Sequence, residues 1–462
     1  MSWNDVFAAT ALEQAALIRA KSISCEELSR AYLDRIDALE PKLNAFVTTF
    51  RRRALADARS KDAALKRGDD LPVFHGVPIG IKDLNMVRWS RTRMGSKGMI
   101  PFVSPVDDLT TAAVRRGGFV ILGKTTTSEV GAMPVTEPDI HAPTRNPWNT
   151  GHSPGGSSGG AAAAVAARML PIAQGSDGGG SIRGPSSFCH LFGIKPSRGR
   201  VANAFGREDR EILYTSGPIA RSVEDAAALL DILAGFDVGR PHWAPAPERK
   251  YRASSATPPG RLKIRFATKA PIGTTDPEIA AAVERAARVL SDLGHDVDSA
   301  TLPECTLEEF LPVWQDLVAS VPLIRWSRAQ PITRWLVEAG KKLTPGLARE
   351  RRRALEARFL AVFDQADVWL TPTTPVAAPR VGAFANRPPE EAFNEAARIG
   401  GFTAAFNITG QPASNVPMGL TGAGLPMGLQ IAGRKFADDV VLAVSRQLEV
   451  AMPWRERIAQ ID

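Results

Sequence analysis

The sequence predicts an α/β layered fold. Three observations carry that prediction. Short apolar runs rich in β-branched residues alternate with longer amphipathic segments along most of the chain, the pattern of a layered α/β protein. The 462 residues are 44 % hydrophobic and 23 % charged, ordinary globular values with enough chain to bury a sizeable core. No internal repeat at solenoid periods is present.

The elements read in order as follows. "SCEELSRAYLDRIDALEP" is a helix whose Ser24 and Glu27 stand at capping-box spacing, with Pro41 expected to close it. "FHGVPIGIKDLN" sets short β-branched pieces among turn residues and reads as a strand. "GGFVILGKTTTSE" is a buried strand, Phe119 to Leu122, delivering a polar loop. Ala161 to Met169 is a small-residue helix, and "RSVEDAAALLDILAGF" a helix with Ser222 and Asp225 at capping spacing. "GRPHWAPAPERKYRASSATPPG" reads as a Pro-rich surface connection. Beyond it "LKIRFAT" is a strand. "DPEIAAAVERAARVLSDLG" is a helix with Pro277 in its first turn and Gly294 after its end, and "HDVDSATLP" is the next strand. Residues 306–360 are mostly helical and carry Trp314, Trp326 and Trp335. "ADVWLTPTTP" is a strand running into a loop, and "LPMGLQIAGRKFADDVVLAVSRQLE" a strand and a final helix.

Composition narrows the function classes. The formal charge is +8, from 57 basic and 49 acidic residues. Its clusters are short: Arg51-Arg52-Arg53, and "RERRRALEAR" from Arg349 to Arg358, where glutamates on a helical pattern suggest a solvated face. Without a continuous basic stripe, no nucleic-acid partner is expected. No apolar run approaches the roughly 20 residues of a membrane span, so no membrane partner is expected. The N-terminal stretch lacks the form of a signal peptide. Cys25, Cys189 and Cys305 make no CxxC pair and no disulfide framework. A reducing cytoplasm is the expected location, with no metal and no cofactor.

Three motifs compete for the chemistry. Gly118, Gly123, Lys124 and Thr125 fit the phosphate-loop pattern GxxxxGK[ST]. That loop must offer open N–H groups, whereas Phe119, Val120, Ile121 and Leu122 belong inside a sheet. Gly155, Ser157 and Gly159 fit the nucleophile elbow GxSxG, which must follow a strand and needs a later acid and His. "RNPWNTGHSP" is turn-forming, and none of His190, His242 and His295 sits in a convincing catalytic loop; His295 reads as the start of a strand. The third motif is "SDGGGS". Successive glycines can turn their N–H groups inward as a nest for an oxyanion, and a hydroxyl just after it attacks the carbonyl held there. Ser181 is thus the better nucleophile candidate. Its base, if not a histidine, is a desolvated lysine. Lys82 ends the apolar strand of "VPIGIKDLN"; the competing reading is an exposed lysine paired with Asp83.

The stretch Gly155 to Val201, "GGSSGGAAAAVAARMLPIAQGSDGGGSIRGPSSFCHLFGIKPSRGRV", resembles the signature of the amidase signature family of serine hydrolases nearly end to end, including the spacing from Ser157 to Ser181. "GVPIGIKDLN", "GKTTTSE", "NPWN", "SGPIARSVED", "DVWLTPTTP", "FNITGQPASNVP" and "GLPMGLQIAGRKFAD" resemble further family segments in the right order; residues 240–360 match little. The resemblance implies the family's α/β fold, a central twisted mixed β-sheet covered by helices on both faces, and a Ser–cis-Ser–Lys triad. Ser181 would be the nucleophile, Ser157 the bridging serine after a cis peptide bond at Gly156, and Lys82 the base. The N–H groups of Gly178, Gly179, Gly180 and Ser181 would form the oxyanion hole, with Ser158, Asp177 and Arg183 supporting it. Gly178 stands where the family more often has a larger residue, implying a looser hole. His190 stands where glycine is usual, and His152 and Ser153 lengthen the approach to Pro154-Gly155-Gly156.

The implied function is hydrolysis of small hydrophobic or aryl amides, with carbamates or esters open to the same acyl transfer, by a monomer or homodimer. The Trp-rich region is a candidate pocket wall, against the reading of a helix packed in the core. The alternatives are a glutaminase subunit of a tRNA-dependent amidotransferase, an esterase of the α/β-hydrolase type using Ser157, and a non-catalytic binding protein. One amidase domain, 1–462, is expected: an N-terminal helical part (1–65), a signature core with the catalytic residues (75–235), a variable, largely helical pocket region (240–360) and a C-terminal part completing the sheet (361–462).

Overall fold

Strands buried on both faces need helices above and below them, and the computed structural model of the chain is built that way. It describes residues 2–99, 102–202, 213–235 and 243–461; His242 and the start of the Pro-rich connection lie outside them. The strands are β1 (Phe46–Thr49), β2 (Pro78–Lys82), β3 (Val120–Thr125), β4 (Ile172–Asp177), β5 (Phe192–Lys195), β6 (Thr215–Ala220), β7 (Lys263–Phe266), β8 (Asp296–Ser299), β9 (Val368–Pro372), β10 (Ala413–Leu420) and β11 (Pro426–Gly433). They form one mixed sheet in the order β1-β3-β2-β4-β6-β5-β10-β11-β9-β7-β8. β2 runs parallel to β3 and β4, and β7 parallel to β8 and β9; the other pairs are antiparallel. Every residue of β2, β3, β4, β5, β6, β9 and β11 is buried, whereas the outer strands β1, β7 and β8 carry exposed positions.

The expected helices form, with differences at their ends. Ser24 and Glu27 make the reciprocal capping box, but Pro41 does not close the helix, which runs Cys25–Leu43 and ends where Asn44 takes φ 51°. A proline in the last turn forfeits a single hydrogen bond, which the rest of the helix tolerates. The strand at Phe119–Leu122 begins one residue later and extends to Thr125. The small-residue helix spans Gly159–Ala166. The Pro-rich connection is not all surface: it holds the short helix Tyr251–Ser255, whose Tyr251 is buried. β1, β4, β5, β6 and β10 are strands that the sequence pattern does not announce.

The burial of the Gly159–Ala166 helix has a local cause. A Cβ on Gly160 would lie 2.4 Å from the Thr126 backbone nitrogen and 2.5 Å from the Ala45 oxygen. Only a glycine lets the helix backbone approach so closely the residues just after β3 and just before β1. Gly160→Ala is therefore expected to destabilise the fold by about 1–3 kcal/mol, as overpacking does. Chemical denaturation measures this, and an unchanged midpoint would show that the backbones can part at no cost.

Candidate active site

The site assembles where β2 and β4 end side by side. Lys82, the last residue of β2, is fully buried. Its Nζ donates to Ser157 Oγ at 2.7 Å, Ser176 Oγ at 3.0 Å and Ser176 O at 3.3 Å. Burial pulls its pKa down to about 7, with the charge of Asp177 acting in the opposite direction. The reading of Lys82 as exposed and paired with Asp83 does not hold, because Asp83 pairs with Lys124 at 2.6 Å. That contact also disposes of the phosphate loop. Lys124 is buried and committed to Asp83, Thr92 Oγ1 and the Arg91 carbonyl, while Val120, Ile121 and Leu122 lie in β3.

Ser157 sits in a loop, with a cis peptide between Gly156 and Ser157. No strand leads into it between residues 146 and 156, and its side chain meets Lys82 rather than a histidine, so the nucleophile elbow is not formed. Ser158 staples this loop to β4: its hydroxyl accepts from Ser176 N at 3.2 Å and donates to Ser176 O at 3.1 Å. Ser158 N–H donates to the Ser181 carbonyl at 3.3 Å, drawing the two serine segments together. The Ser157 and Ser181 hydroxyls are not hydrogen-bonded to each other.

His152, His190 and His295 stand apart from this cluster. His152 bridges to Arg380. His190 packs edge-on against Trp148, and burial pushes its pKa down to about 4. Its φ of 58° is the left-handed conformation that glycine adopts most readily, which accounts for glycine being usual there. His295 accepts from Leu262 N and faces Gln447, just before β8.

The glycine turn after β4 is organised by Asp177. Its Oδ1 accepts from Gly180 N at 2.7 Å, and its Oδ2 from Ile182 N at 3.1 Å and Arg183 N at 3.4 Å. The Gly180 N–H is therefore committed to Asp177, unlike a free donor of the expected four-donor hole. The signal was local: an Asp three residues before a glycine favours this side-chain turn. Among the described residues the N–H groups of Gly178, Gly179 and Ser181 donate to no protein acceptor. Burial alone would raise the Asp177 carboxyl, but the Arg183 guanidinium at 2.9 Å holds it well below the usual carboxylate range. Arg183, also fully buried, donates to Thr403 O, Asn407 Oδ1 and Gln430 Oε1. The sequence motifs do not single out Ser176, Thr403, Asn407 or Gln430. For Thr403, Asn407 and Gln430 one signal is a polar side chain among apolar neighbours, which must find a partner once buried, and Ser176, Asn407 and Gln430 also lie inside stretches that resemble family segments.

Ser181 opens onto a cleft walled by Ile272, Leu307, Phe310, Trp314, Phe359 and Phe393, and among the described residues no charged side chain lines it. Of the three tryptophans, Trp314 lines the cleft, whereas Trp335 packs on Phe393 and Trp326 lies under the Lys341 ammonium. The space beside Gly178 is not left open. A Cβ there would lie 3.8 Å from Trp314 Cη2 and Cζ3, so the indole occupies the space a longer side chain would take. Among the described residues no three His, Cys, Asp or Glu side chains converge to hold a metal ion. No described helix is long and apolar enough to cross a membrane.

A family model described as Amidase matches residues 27–320 and 324–442. The 6-aminohexanoate-cyclic-dimer hydrolase of Paenarthrobacter ureafaciens is 35 % identical over 492 residues, covering 99 % of this chain and 97 % of that protein. A glutamyl-tRNA(Gln) amidotransferase subunit from Methylococcus capsulatus is 34 % identical over 481 residues, covering 97 % and 98 %. Among solved structures, a 6-aminohexanoate cyclic dimer hydrolase superposes with a TM-score of 0.89 at 31 % identity, over 98 % of this chain and 99 % of that one. A bacterial aryl acylamidase superposes with a TM-score of 0.87 at 27 % identity, over 96 % of each chain. Likeness that runs nearly end to end in both sequence and fold means that this chain belongs to the amidase signature family, hydrolases of the amide C–N bond.

Proposed function

We propose that the protein hydrolyses small, uncharged hydrophobic or aryl amides through an acyl-enzyme on Ser181. The observation that carries this reading is a serine hydroxyl opening onto an uncharged apolar cleft beside unpaired glycine N–H groups. A buried lysine, held near neutrality, sits one serine away. Neutral Lys82 takes the Ser157 proton as Ser157 takes that of Ser181, whose Oγ attacks the carbonyl carbon. For this Ser181 Oγ turns toward Ser157. The oxyanion accepts from the N–H groups of Gly178, Gly179 and Ser181. The relay then delivers the proton to the leaving amine, and water, activated in the same way, hydrolyses the acyl-enzyme. Carbamates and esters are open to the same acyl transfer. Intact Lys82, Ser157 and Ser181 weigh against a non-catalytic role.

A glutaminase role, as the likeness to an amidotransferase subunit suggests, would require groups to hold the charged ammonium and carboxylate of glutamine. Among the described residues the cleft offers no charged group for them, which weighs against it. In a panel of aliphatic amides, anilides, aryl carbamates and glutamine, scored by product release, an apolar amide or anilide is expected to give the highest kcat/KM. Preference for glutamine would overturn the reading.

The base is tested by pH. A lysine acts as base only when neutral, so the rate should climb through one ionisation near the value of about 7 set by burial. Lys82→Ala should remove that ionisation and most activity, while His152→Ala and His190→Ala should keep the profile's shape. Ser181→Ala should lower kcat by on the order of 10⁶-fold, the scale of deleting a serine nucleophile. Retention of the ionisation in Lys82→Ala, or its loss in a histidine variant, would refute the relay.

We also propose that residues 1–462 act as one catalytic domain. Lys82, Ser157 and Ser181 all precede residue 240, yet β5 pairs with β10, and Arg183 takes its partners from residues 403, 407 and 430. A fragment of residues 1–240 should be inactive when expressed alone. An active fragment would contradict the proposal.

A further inference from the structure

The peptide unit between Gly179 and Gly180 is gripped at both ends by groups from different parts of the chain. Its carbonyl accepts the Thr403 hydroxyl at 2.6 Å. Its N–H donates to Asp177 Oδ1 at 2.7 Å. With both polar ends held, the unit cannot rotate without breaking two hydrogen bonds in a buried setting, where unpaired groups are costly. Gly180 is at φ 129°, and a Cβ on it would lie 2.3 Å from Thr403 Oγ1, so the threonine also packs against the turn it holds. Thr403 is itself fixed. Its N–H donates to Gly400 O at 3.0 Å, and its carbonyl accepts from Arg183 Nη1 at 3.0 Å.

The orientation of this one peptide matters to its neighbours. With its carbonyl tied back to Thr403, the N–H groups of Gly179 on one side and Ser181 on the other are left without protein acceptors. The C=O and N–H of a trans peptide point opposite ways. A flipped unit would therefore aim its carbonyl at the Asp177 carboxylate and lose both ties, leaving the flanking Gly179 and Ser181 N–H groups free to swing out of place. Three successive glycines give no steric resistance to such a flip. A chain this permissive needs an external tie, and Asp177 supplies only one end of it.

We propose that Thr403 is a positioning residue for the oxyanion hole, acting through the Gly179 carbonyl. The proposal rests on Ser181 as the nucleophile. Thr403→Val keeps the shape and removes the hydroxyl. It should lower kcat roughly 10- to 100-fold, less than the 10²–10³ of losing a donor outright, with KM little changed. The rate of Ser181 labelling by a fluorophosphonate should fall by a similar factor. Thr403→Ser, which keeps the hydroxyl, should recover most of both rates. A threonine that only packs would instead move the melting temperature and leave kcat per folded molecule intact. Wild-type kcat in Thr403→Val, or a Ser variant as slow as the Val variant, overturns the proposal. If the wild-type protein takes no label at Ser181, it is the nucleophile assignment that fails. The clamp is then judged on a crystal structure of Thr403→Val, where a Gly179 carbonyl unmoved from its wild-type direction overturns it.

Discussion

The buried pair of Asp177 and Arg183 is the constraint on which the site depends. Two charges with no solvent exposure are tolerable only if nearly every lone pair and N–H finds a partner. The protein meets that demand from several elements. Asp177 accepts from three backbone N–H groups of the turn that follows it, from the guanidinium and from Asn407 Nδ2 at 2.9 Å. Arg183 reaches Thr403, Asn407 and Gln430 of β11. The hydrogen bonds that satisfy the charges also shape the glycine turn, so the turn takes this form only once the C-terminal third of the chain has packed against β4.

Lys82 shows the opposite solution to burial. In the parallel ladder of β2 and β3, Ile81 stands opposite Lys124 and Lys82 opposite Thr125, so two buried lysines lie in adjacent strands. Burial pulls both pKa values down, but Lys124 is given a carboxylate at 2.6 Å that opposes the shift. Lys82 is given only hydroxyls and a carbonyl, with Asp177 acting from farther away. One lysine is thereby a structural cation tying β3 to the loop after β2. The other is left near neutrality next to a serine, which is the condition a general base requires.

The cleft follows the same economy of charge. Its walls come from helices at 307–319 and 347–361 and from the 393–408 segment, and apart from Thr403 their described lining residues are apolar. In the proposed mechanism, apolar walls would exclude water and strengthen the pull of the unpaired N–H groups on a developing negative charge. The indole of Trp314, stacked on Phe310, closes the space beside Gly178.

The sequence by itself determined what local physics controls. Apolar β-branched runs marked β2, β3, β9 and β11; Ser24 with Glu27 and Ser222 with Asp225 marked helix starts; three glycines before Ser181 marked a nest of N–H groups. The family's motifs pointed to Lys82, Ser157 and Ser181 as the residues to watch. What the tertiary structure decided are choices that local propensity leaves degenerate. β4, β5, β6 and β10 are rich in Gly, Ser and Pro, and are strands because neighbours on both sides bind them. Lys82 and Lys124 both follow apolar strand residues, and only the fold assigns the carboxylate to one of them. Thr403, Asn407 and Gln430 lie more than two hundred residues from the turn they hold. Their part exists only in three dimensions, because a buried polar group takes its meaning from the partner that satisfies it.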